Sequence, residues 1–217
     1  MASIELRGVS HRYPDGTLAL RDIDLAVESG ALVAITGPNG SGKSTLVSHM
    51  NGLLRPTAGA VLHDGRDIAP YPVAQLVRAV GLVTQHADRQ VFATSVQKEV
   101  EFGARNLGLR GIELQNACRE ALQRVGIQAL EHHNPYEIGY SKRRLLAIAS
   151  VLAMRTPVVV LDEPVAGLDL HGLNCVRRML RELIAAGRTA ILVTNDVGFA
   201  RGCAARMVAL QCGSLVR

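Results

Sequence analysis

The chain has 217 residues, of which 48% are hydrophobic and 3% aromatic, with no Trp and a formal net charge of +5 at pH 7. A chain of this size and composition can bury a full core, and we expect one α/β domain with an inserted helical part. The low aromatic content leaves few platforms for stacking on bases, which argues against a nucleic-acid partner despite the basic balance.

The N-terminal part favours an antiparallel β lobe. Residues 4–9 and 22–27 alternate apolar with polar side chains, and residues 14–16, Pro-Asp-Gly, form a turn signal between them. Residues 1–5 show no basic region followed by an apolar run, so we expect no secretory signal and a location in the cytoplasm.

A glycine-rich loop follows a predicted strand at residues 31–36. Residues 37–45 fit the phosphate-loop pattern G-x-x-x-x-G-K-[ST]. Glycines let backbone N–H groups approach phosphate oxygens, Lys43 supplies a charge for the β- and γ-phosphates, and the Ser44 hydroxyl can ligate Mg²⁺. A helix predicted from residue 43 to residue 53 adds its positive N-terminal end. The residues predicted to bind ATP are Gly37, Pro38, Asn39, Gly40, Ser41, Gly42, Lys43, Ser44 and Thr45.

A hairpin and then a helical insert are predicted in the middle of the chain. Asp64-Gly65 is a hairpin turn signal, and residues 80–84 form a predicted strand that ends at Gln85. Over residues 94–154 apolar residues follow helical spacing. The apolar positions at this spacing include Leu114, Ala117, Cys118, Ala121, Leu122 and Val125. We therefore expect a single domain over 1–217, with a core of 1–93 and 155–217 and a helical subdomain at 94–154.

Two carboxylates end a buried strand in the last third of the chain. Residues 158–161 are Val-Val-Val-Leu, and Asp162 and Glu163 follow them. At the edge of a sheet Asp162 can hold the Mg²⁺ shell, and Glu163 can accept a proton from an attacking water. An amphipathic helix at 173–184 and buried strands at 190–194 and 207–210 complete a mainly parallel sheet. Such sheets bind ligands at the carboxyl ends of their strands.

These motifs, in this order, resemble the ATP-binding cassette (ABC) ATPases that drive membrane transporters. The resemblance implies a P-loop NTPase fold of the ABC type, with an antiparallel β lobe and an inserted helical subdomain. It implies that Tyr13 stacks on adenine and that residues 166–169 form a dimer-contact loop. It assigns catalysis to Glu163, Lys43, Gln85 and Asn195, and Mg²⁺ binding to Ser44, Gln85 and Asp162. Segments 85–96 and 99–109 are similar to the energy-coupling-factor branch, whose members import vitamins or transition metals such as cobalt and nickel.

Two departures from the family pattern bear on turnover. The family signature Leu-Ser-Gly-Gly-Gln aligns with residues 138–142, where Tyr140 and Ser141 replace both glycines and Gly139 lacks the serine hydroxyl. The family places a histidine at position 195, and Asn195 can donate a hydrogen bond but cannot carry charge. Loss of one well-aimed donor to the transition state costs ~10²–10³ in rate, so we expect slow hydrolysis.

The resemblance implies an ATPase that couples ATP binding and hydrolysis to import through a membrane. Its implied partners are a second ATPase subunit, in a homodimer or a heterodimer, and transmembrane transporter subunits, with the chain peripheral on the cytoplasmic face. The alternative is a regulatory subunit of such a complex that binds ATP without hydrolysing it. Lys142, Arg143 and Arg144 keep positive charge at the start of the helix that goes with the signature, and they either attract phosphate or form a solvated basic turn.

The four cysteines show no metal or redox pattern. Cys118, Cys175, Cys203 and Cys212 have neither C-x-x-C spacing nor a matching histidine cluster. We therefore predict that they are small buried apolar residues.

Overall fold

The computed structural model describes residues 3–204 and 206–216, without the side chains of residues 87 and 88. Its strands are β1 (Ile4–Arg12), β2 (Leu18–Val27), β3 (Leu32–Thr36), β4 (Ala58–His63), β5 (Arg66–Asp67), β6 (Val80–Val83), β7 (Val158–Asp162), β8 (Thr189–Val193), β9 (Arg206–Gln211) and β10 (Ser214–Val216). Its α-helices are α1 (Lys43–Met50), α2 (Val73–Leu76), α3 (Val96–Asn106), α4 (Gly111–Arg124), α5 (Tyr140–Ala153), α6 (Leu170–Ala185) and α7 (Val197–Cys203), and 3-10 turns lie at Ala87–Gln90 and Gln128–Leu130.

The predicted β lobe is a four-stranded antiparallel sheet in the order β2-β1-β4-β5. β1 and β2 pair from Ile4 opposite Val27 to Arg12 opposite Leu18, with bulges along the ladder. Both strands are longer than the alternation of apolar residues predicted, because the pairing continues past the bulges. One face of this sheet buries Ile4, Leu6, Leu20 and Ile23 against the core.

The central sheet has the strand order β10-β9-β3-β8-β7-β6 within the described residues. β6, β7, β8, β3 and β9 are parallel, and β10 is antiparallel to β9. Every residue of β3, β7 and β8 is buried, because layers cover both faces of the sheet. The parallel direction brings the carboxyl ends of these three strands to one edge, where the predicted site residues begin.

In the chain, helices α3, α4 and α5 follow β6 and precede β7, where helical spacing predicted them. All six apolar positions named above are buried in the core. Residues 145–153, which are apolar except for Ser150, form most of α5, and all of them but Ser150 are buried. Among the helices of the described residues, none combines the length and apolar character needed to span a membrane. The boundaries proposed for the helical subdomain stay a prediction.

Several local expectations need correction. α1 ends at Met50, short of the predicted end at residue 53, because Gly52 turns the chain at a φ of 77°. Cys118 and Cys175 are buried as predicted, but Cys203 is partly exposed. The prediction is wrong for Cys212, which is exposed because it lies in the tight turn between β9 and β10 with a φ of 48°. The short elements α2, α7 and β10 were not predicted.

Two buried histidines join α1 to β1. His49 Nε2 lies 3.2 Å from His11 Nδ1, His49 Nδ1 lies 2.7 Å from the Thr45 carbonyl, and His11 Nδ1 lies 3.1 Å from the Arg55 carbonyl. A carbonyl can only accept, so both Nδ1 atoms carry the proton and His49 Nε2 accepts from His11. His11 thus shares one proton between the Arg55 carbonyl and His49, and His49 makes both of its contacts without a second proton. Burial lowers the pKa of His49, against the hydrogen bond to Thr45.

We expect the free energy of unfolding to fall as the pH drops below about 6.5, the ordinary pKa of histidine. The unfolded chain then binds a proton that native His49 excludes, at a cost of up to about 1.4 kcal/mol per pH unit. His49→Asn keeps a donor for the Thr45 carbonyl without titrating, so its loss of stability between pH 7 and pH 5 should be smaller.

Chemical denaturation over this pH range measures the difference, with exposed His132→Asn as the matched control. Burial also lowers the pKa of His63, which adds the same slope to each variant. Equal slopes for His49→Asn and His132→Asn would contradict the exclusion of a proton from native His49.

Candidate nucleotide-binding site

The loop after β3 folds as a cradle that requires glycine. A Cβ on Gly37 would lie 2.1 Å from the Leu210 carbonyl oxygen, and a Cβ on Gly42 would lie 2.6 Å from that of Ala19. Gly42 is the N-cap of α1, so it offers no side chain to the first N–H groups of the helix. These N–H groups and the helix dipole therefore face the loop, as they do where helices bind phosphate.

Lys43 is the first residue of α1, and its side chain is buried over the loop. Its Nζ donates to the Gly37 carbonyl at 2.8 Å and to the Pro38 carbonyl at 2.9 Å. Phosphate oxygens are charged and accept more strongly than carbonyls, so the ammonium can move to a bound triphosphate. Ser41 Oγ is buried nearby with no hydrogen-bond partner in the described part of the chain.

Asp162 ends β7 as a buried carboxylate beside Ser44. Burial raises the pKa of Asp162, while the hydrogen bond from Ser44 and the charge of Lys43 lower it. Its Oδ1 is buried and has no hydrogen-bond partner among the described residues. Buried carboxylate oxygens are normally paired, and Mg²⁺ prefers oxygen ligands from one or two carboxylates together with phosphates. Ser44 and Asp162 therefore fit the predicted Mg²⁺ site.

Glu163 follows directly and has an unusual backbone. Its φ of 49° lies in the left-handed region, which costs on the order of 1–3 kcal/mol for a residue with a Cβ. The side chain reaches Thr194, whose hydroxyl donates to Oε2 at 3.2 Å, whereas Oε1 is buried without a partner among the described residues. Burial raises the pKa of Glu163, and the Thr194 hydroxyl and Lys43 oppose this rise. A carboxylate with a free oxygen in this position can accept a proton.

Asn195 follows β8 and contacts the phosphate loop. Its Nδ2 donates to Asn39 Oδ1 at 2.5 Å. Both side chains are exposed, so this hydrogen bond joins Asn195 to the phosphate loop at the protein surface. No sequence pattern predicts this hydrogen bond, because the two residues are 156 positions apart. The catalytic role assigned to Asn195 by resemblance stays a prediction.

One cleft of about 470 Å³ collects most of the predicted site residues. They are Tyr13, Asn39, Gly40, Gly42, Lys43, Ser44, Thr45, Gln85, Asp162 and Glu163. Gly37, Pro38, Ser41 and Asn195 do not line it. Arg21 and Cys212 also line it and were missed, because no motif surrounds either of them.

Tyr13 lines the same cleft as the acidic pair. Its hydroxyl is 3.0 Å from Thr45 Oγ1, and its ring meets the His11 ring edge-on at 4.7 Å between centroids. The side chain is partly exposed. This position fits the predicted stacking on adenine, which stays a prediction.

The altered signature segment lies at the start of α5 and contacts its own chain. The Tyr140 ring packs on Gly167, where an added Cβ would lie 2.8 Å from the ring. Ser141 Oγ donates to Asp169 Oδ1 at 3.4 Å. Lys142 is exposed, as a solvated turn requires, but Arg144 is buried and matches neither expectation for the basic residues.

Comparison of sequences finds related transport proteins over the whole chain. Residues 20–166 match the family described as ABC transporter. The chain is 41% identical to the energy-coupling factor transporter ATP-binding protein EcfA of Methanothermobacter thermautotrophicus, over 98% of this chain and 69% of that protein. It is 40% identical to EcfA of Methanocaldococcus jannaschii, over 100% of this chain and 78% of that protein.

Solved structures with the same architecture include a part of an ABC transporter complex and an ATP-binding cassette. The structure of cbiO1 from Clostridium perfringens, described as part of the ABC transporter complex cbiONQ, gives a TM-score of 0.88 at 33% identity. That match covers 99% of this chain and 86% of cbiO1. The cassette MJ0796, described as a dimer in a post-hydrolysis state bound to ADP and Pi, gives a TM-score of 0.89 at 26% identity and covers 99% and 97% of the two chains.

Proposed function

The chain belongs to the ABC transporter family, and on that premise we propose that it is the ATPase subunit of an importer for a vitamin or a transition metal ion. It is an ABC-type ATPase of the energy-coupling-factor kind, with the fold that the sequence predicted. A second ATPase subunit and membrane-embedded subunits are its partners. We place it on the cytoplasmic face of the membrane.

The convergence of Lys43, Asp162 and Glu163 in one cleft supports ATP turnover most strongly. In the proposal Lys43 binds the β- and γ-phosphates, and Ser44 and Asp162 hold Mg²⁺ beside them. Mg²⁺ supplies positive charge that offsets the charge of the transferring phosphoryl group. Glu163 orients the attacking water and accepts its proton through the oxygen that Thr194 leaves unpaired.

We propose that hydrolysis is slow, because two groups that would act on the γ-phosphate are altered. Asn195 carries no charge and already donates to Asn39. Gly139, Tyr140 and Ser141 provide neither the hydroxyl nor the two glycines of the family signature. A γ-phosphate held by this segment of the other subunit would therefore lose one hydrogen bond and close backbone contact.

Two exposed aromatic residues lie after Gln85 in the chain, and they suit contact with a membrane-embedded subunit. Phe92 and Phe102 are 56% and 49% exposed, and their rings meet edge-on at 4.8 Å between centroids. Buried Glu99 fixes this surface, because its Oε2 accepts from the N–H groups of Phe92 at 2.9 Å and Ala93 at 2.8 Å. Exposed aromatic side chains on a fixed backbone are typical anchors of protein interfaces.

Phe102→Ser should weaken assembly with the membrane subunits at least tenfold, the usual effect of losing an aromatic anchor of about 2 kcal/mol. Its affinity for ATP should not change, since Phe102 lies outside the nucleotide cleft. Binding to purified membrane subunits and calorimetry with ATP measure the two quantities. Ile112→Ser on α4, at a position 69% exposed, is the matched control and should assemble normally. Equal loss of assembly in both variants would contradict this docking surface.

Asn195→His should raise the ATPase rate about tenfold or more when the second ATPase subunit has an intact signature. The reason is that one well-aimed donor to the transition state changes the rate by ~10²–10³. In a homodimer every nucleotide site would contain both changes, Asn195 from one subunit and the altered signature segment from the other. There Asn195→His should change little until Gly139→Ser, Tyr140→Gly, Ser141→Gly and Lys142→Gln are added, because these groups act together on one γ-phosphate.

Steady-state ATPase rates of the single, segment and combined variants test this expectation, with Glu163→Gln as the background. Rates that remain at this background in both assemblies would exclude hydrolysis. The chain would then be the ATP-binding regulatory subunit that the sequence left open as an alternative.

A further inference from the structure

A buried arginine of α5 binds the main chain of two predicted catalytic residues. Arg144 is only 2% exposed. Its Nη1 donates to the Gln85 carbonyl at 3.1 Å and to the Tyr140 hydroxyl at 3.1 Å, and its Nη2 donates to the Glu163 carbonyl at 2.5 Å. One guanidinium therefore connects α5 to the segments that follow β6 and β7.

Glu163 requires such support because its backbone is strained. Its left-handed φ of 49° persists only where the surroundings fix the peptide groups on both sides. The N–H group donates to the Val193 carbonyl at 2.8 Å, and the carbonyl accepts from Arg144. The Ala166 N–H also donates to this carbonyl, but at 3.4 Å, which is long for a hydrogen bond. Without Arg144 the peptide that follows Glu163 keeps only this long contact and can rotate to a relaxed conformation. The carboxylate would then leave the Thr194 hydroxyl and the cleft.

The cost of burying this charge argues against a purely structural role. Arg144 has no ion pair within 4.0 Å in the described part of the chain, and its Nε is buried without a partner there. An apolar side chain of similar length would avoid the desolvation of a guanidinium. The charge does reach the site, because Arg144 opposes the rise that burial causes in the pKa of Asp162.

We propose that Arg144 is a positioning residue for ATP hydrolysis, which holds Glu163 in the conformation that directs its carboxylate into the cleft. The same guanidinium donates to the Tyr140 hydroxyl, but the carbonyls of Gln85 and Glu163 hold it independently of that contact. This inference rests on the proposed ATPase function and adds to it a link between α5 and the catalytic carboxylate.

Arg144→Met should lower kcat for ATP hydrolysis at least tenfold, while the Kd for Mg-ATP changes less than threefold. Arg144→Lys retains one donor group and should restore part of the rate. Arg144→Met should cause no further loss in the Glu163→Gln background, because the carboxylate that it positions is already absent. These rates and affinities are measured on the assembled transporter by steady-state kinetics and calorimetry.

Arg188→Met is the matched control for loss of a half-buried arginine. Arg188 Nε donates to the Thr156 carbonyl at 2.9 Å, at the opposite end of β7 from Asp162. This variant should lose stability without a change in kcat. The proposal is overturned if both methionine variants lower kcat alike, or if Arg144→Met lowers the residual rate of Glu163→Gln by the same factor as that of the parent.

A second readout does not depend on turnover. The Glu163 amide is protected by the Val193 carbonyl, and its hydrogen exchange should accelerate at least tenfold in Arg144→Met but not in Arg188→Met. Unchanged protection in Arg144→Met would overturn the positioning role even if the ATPase is active. A parent rate equal to that of Glu163→Gln, with faster exchange in Arg144→Met, would instead contradict the proposed hydrolysis and leave the contact between Arg144 and Glu163 supported.

Discussion

The parallel pairing of β3, β8 and β7 determines where the candidate site residues lie. Ile35 pairs with Val193 and Asp162 pairs with the same residue from the other side, so the three strands end at one level. The phosphate loop begins directly after β3, Asp162 is the last residue of β7, and Asn195 lies two residues after the end of β8. Because side chains alternate between the two faces of a strand, a shift of one residue in β7 would remove Asp162 from Ser44. Core packing therefore sets the geometry of the site.

The site is locally unfavourable in ways that the rest of the fold tolerates. Asp162 carries a buried oxygen without a partner among the described residues, Glu163 has a left-handed backbone, and Arg144 is a buried charge without an ion pair there. Each feature would destabilise an ordinary strand end. Together they fit the proposed binding of a triphosphate with Mg²⁺, which would use an unpaired carboxylate oxygen, a directed base and extra positive charge. Departures from local stability of this kind concentrate at functional sites.

Sequence patterns predicted those parts of the site that depend on neighbouring residues. The phosphate loop and the pair Asp162-Glu163 were visible because their residues are adjacent and follow buried apolar strands. The hydrogen bonds from Arg144 to Glu163 and from Asn195 to Asn39 were not visible, because they join residues 19 and 156 positions apart. The left-handed conformation of Glu163 also leaves no mark in the sequence, since glutamate rarely adopts it.

The fold shows the same division between local and distant information. Long periodic segments predicted most strands and the helices from α3 to α6, whereas α2, α7 and β10 are too short for a period to be seen. The end of α1 and the exposure of Cys212 depend on single turns with positive φ. The adenine contact of Tyr13 and the catalytic roles of Gln85 and Asn195 follow from family resemblance and stay predictions.

In the proposed function Lys43 leaves the carbonyls of its own loop to bind the phosphates of ATP. Calorimetric titration of the chain with Mg-ATP, beside Lys43→Ala and the exposed control Lys98→Ala, tests this movement. We expect an affinity for Mg-ATP at least tenfold weaker for Lys43→Ala, because a charge-assisted contact of ~1.5–3 kcal/mol is lost, and no change for Lys98→Ala. Equal affinity of Lys43→Ala and the parent chain would contradict it.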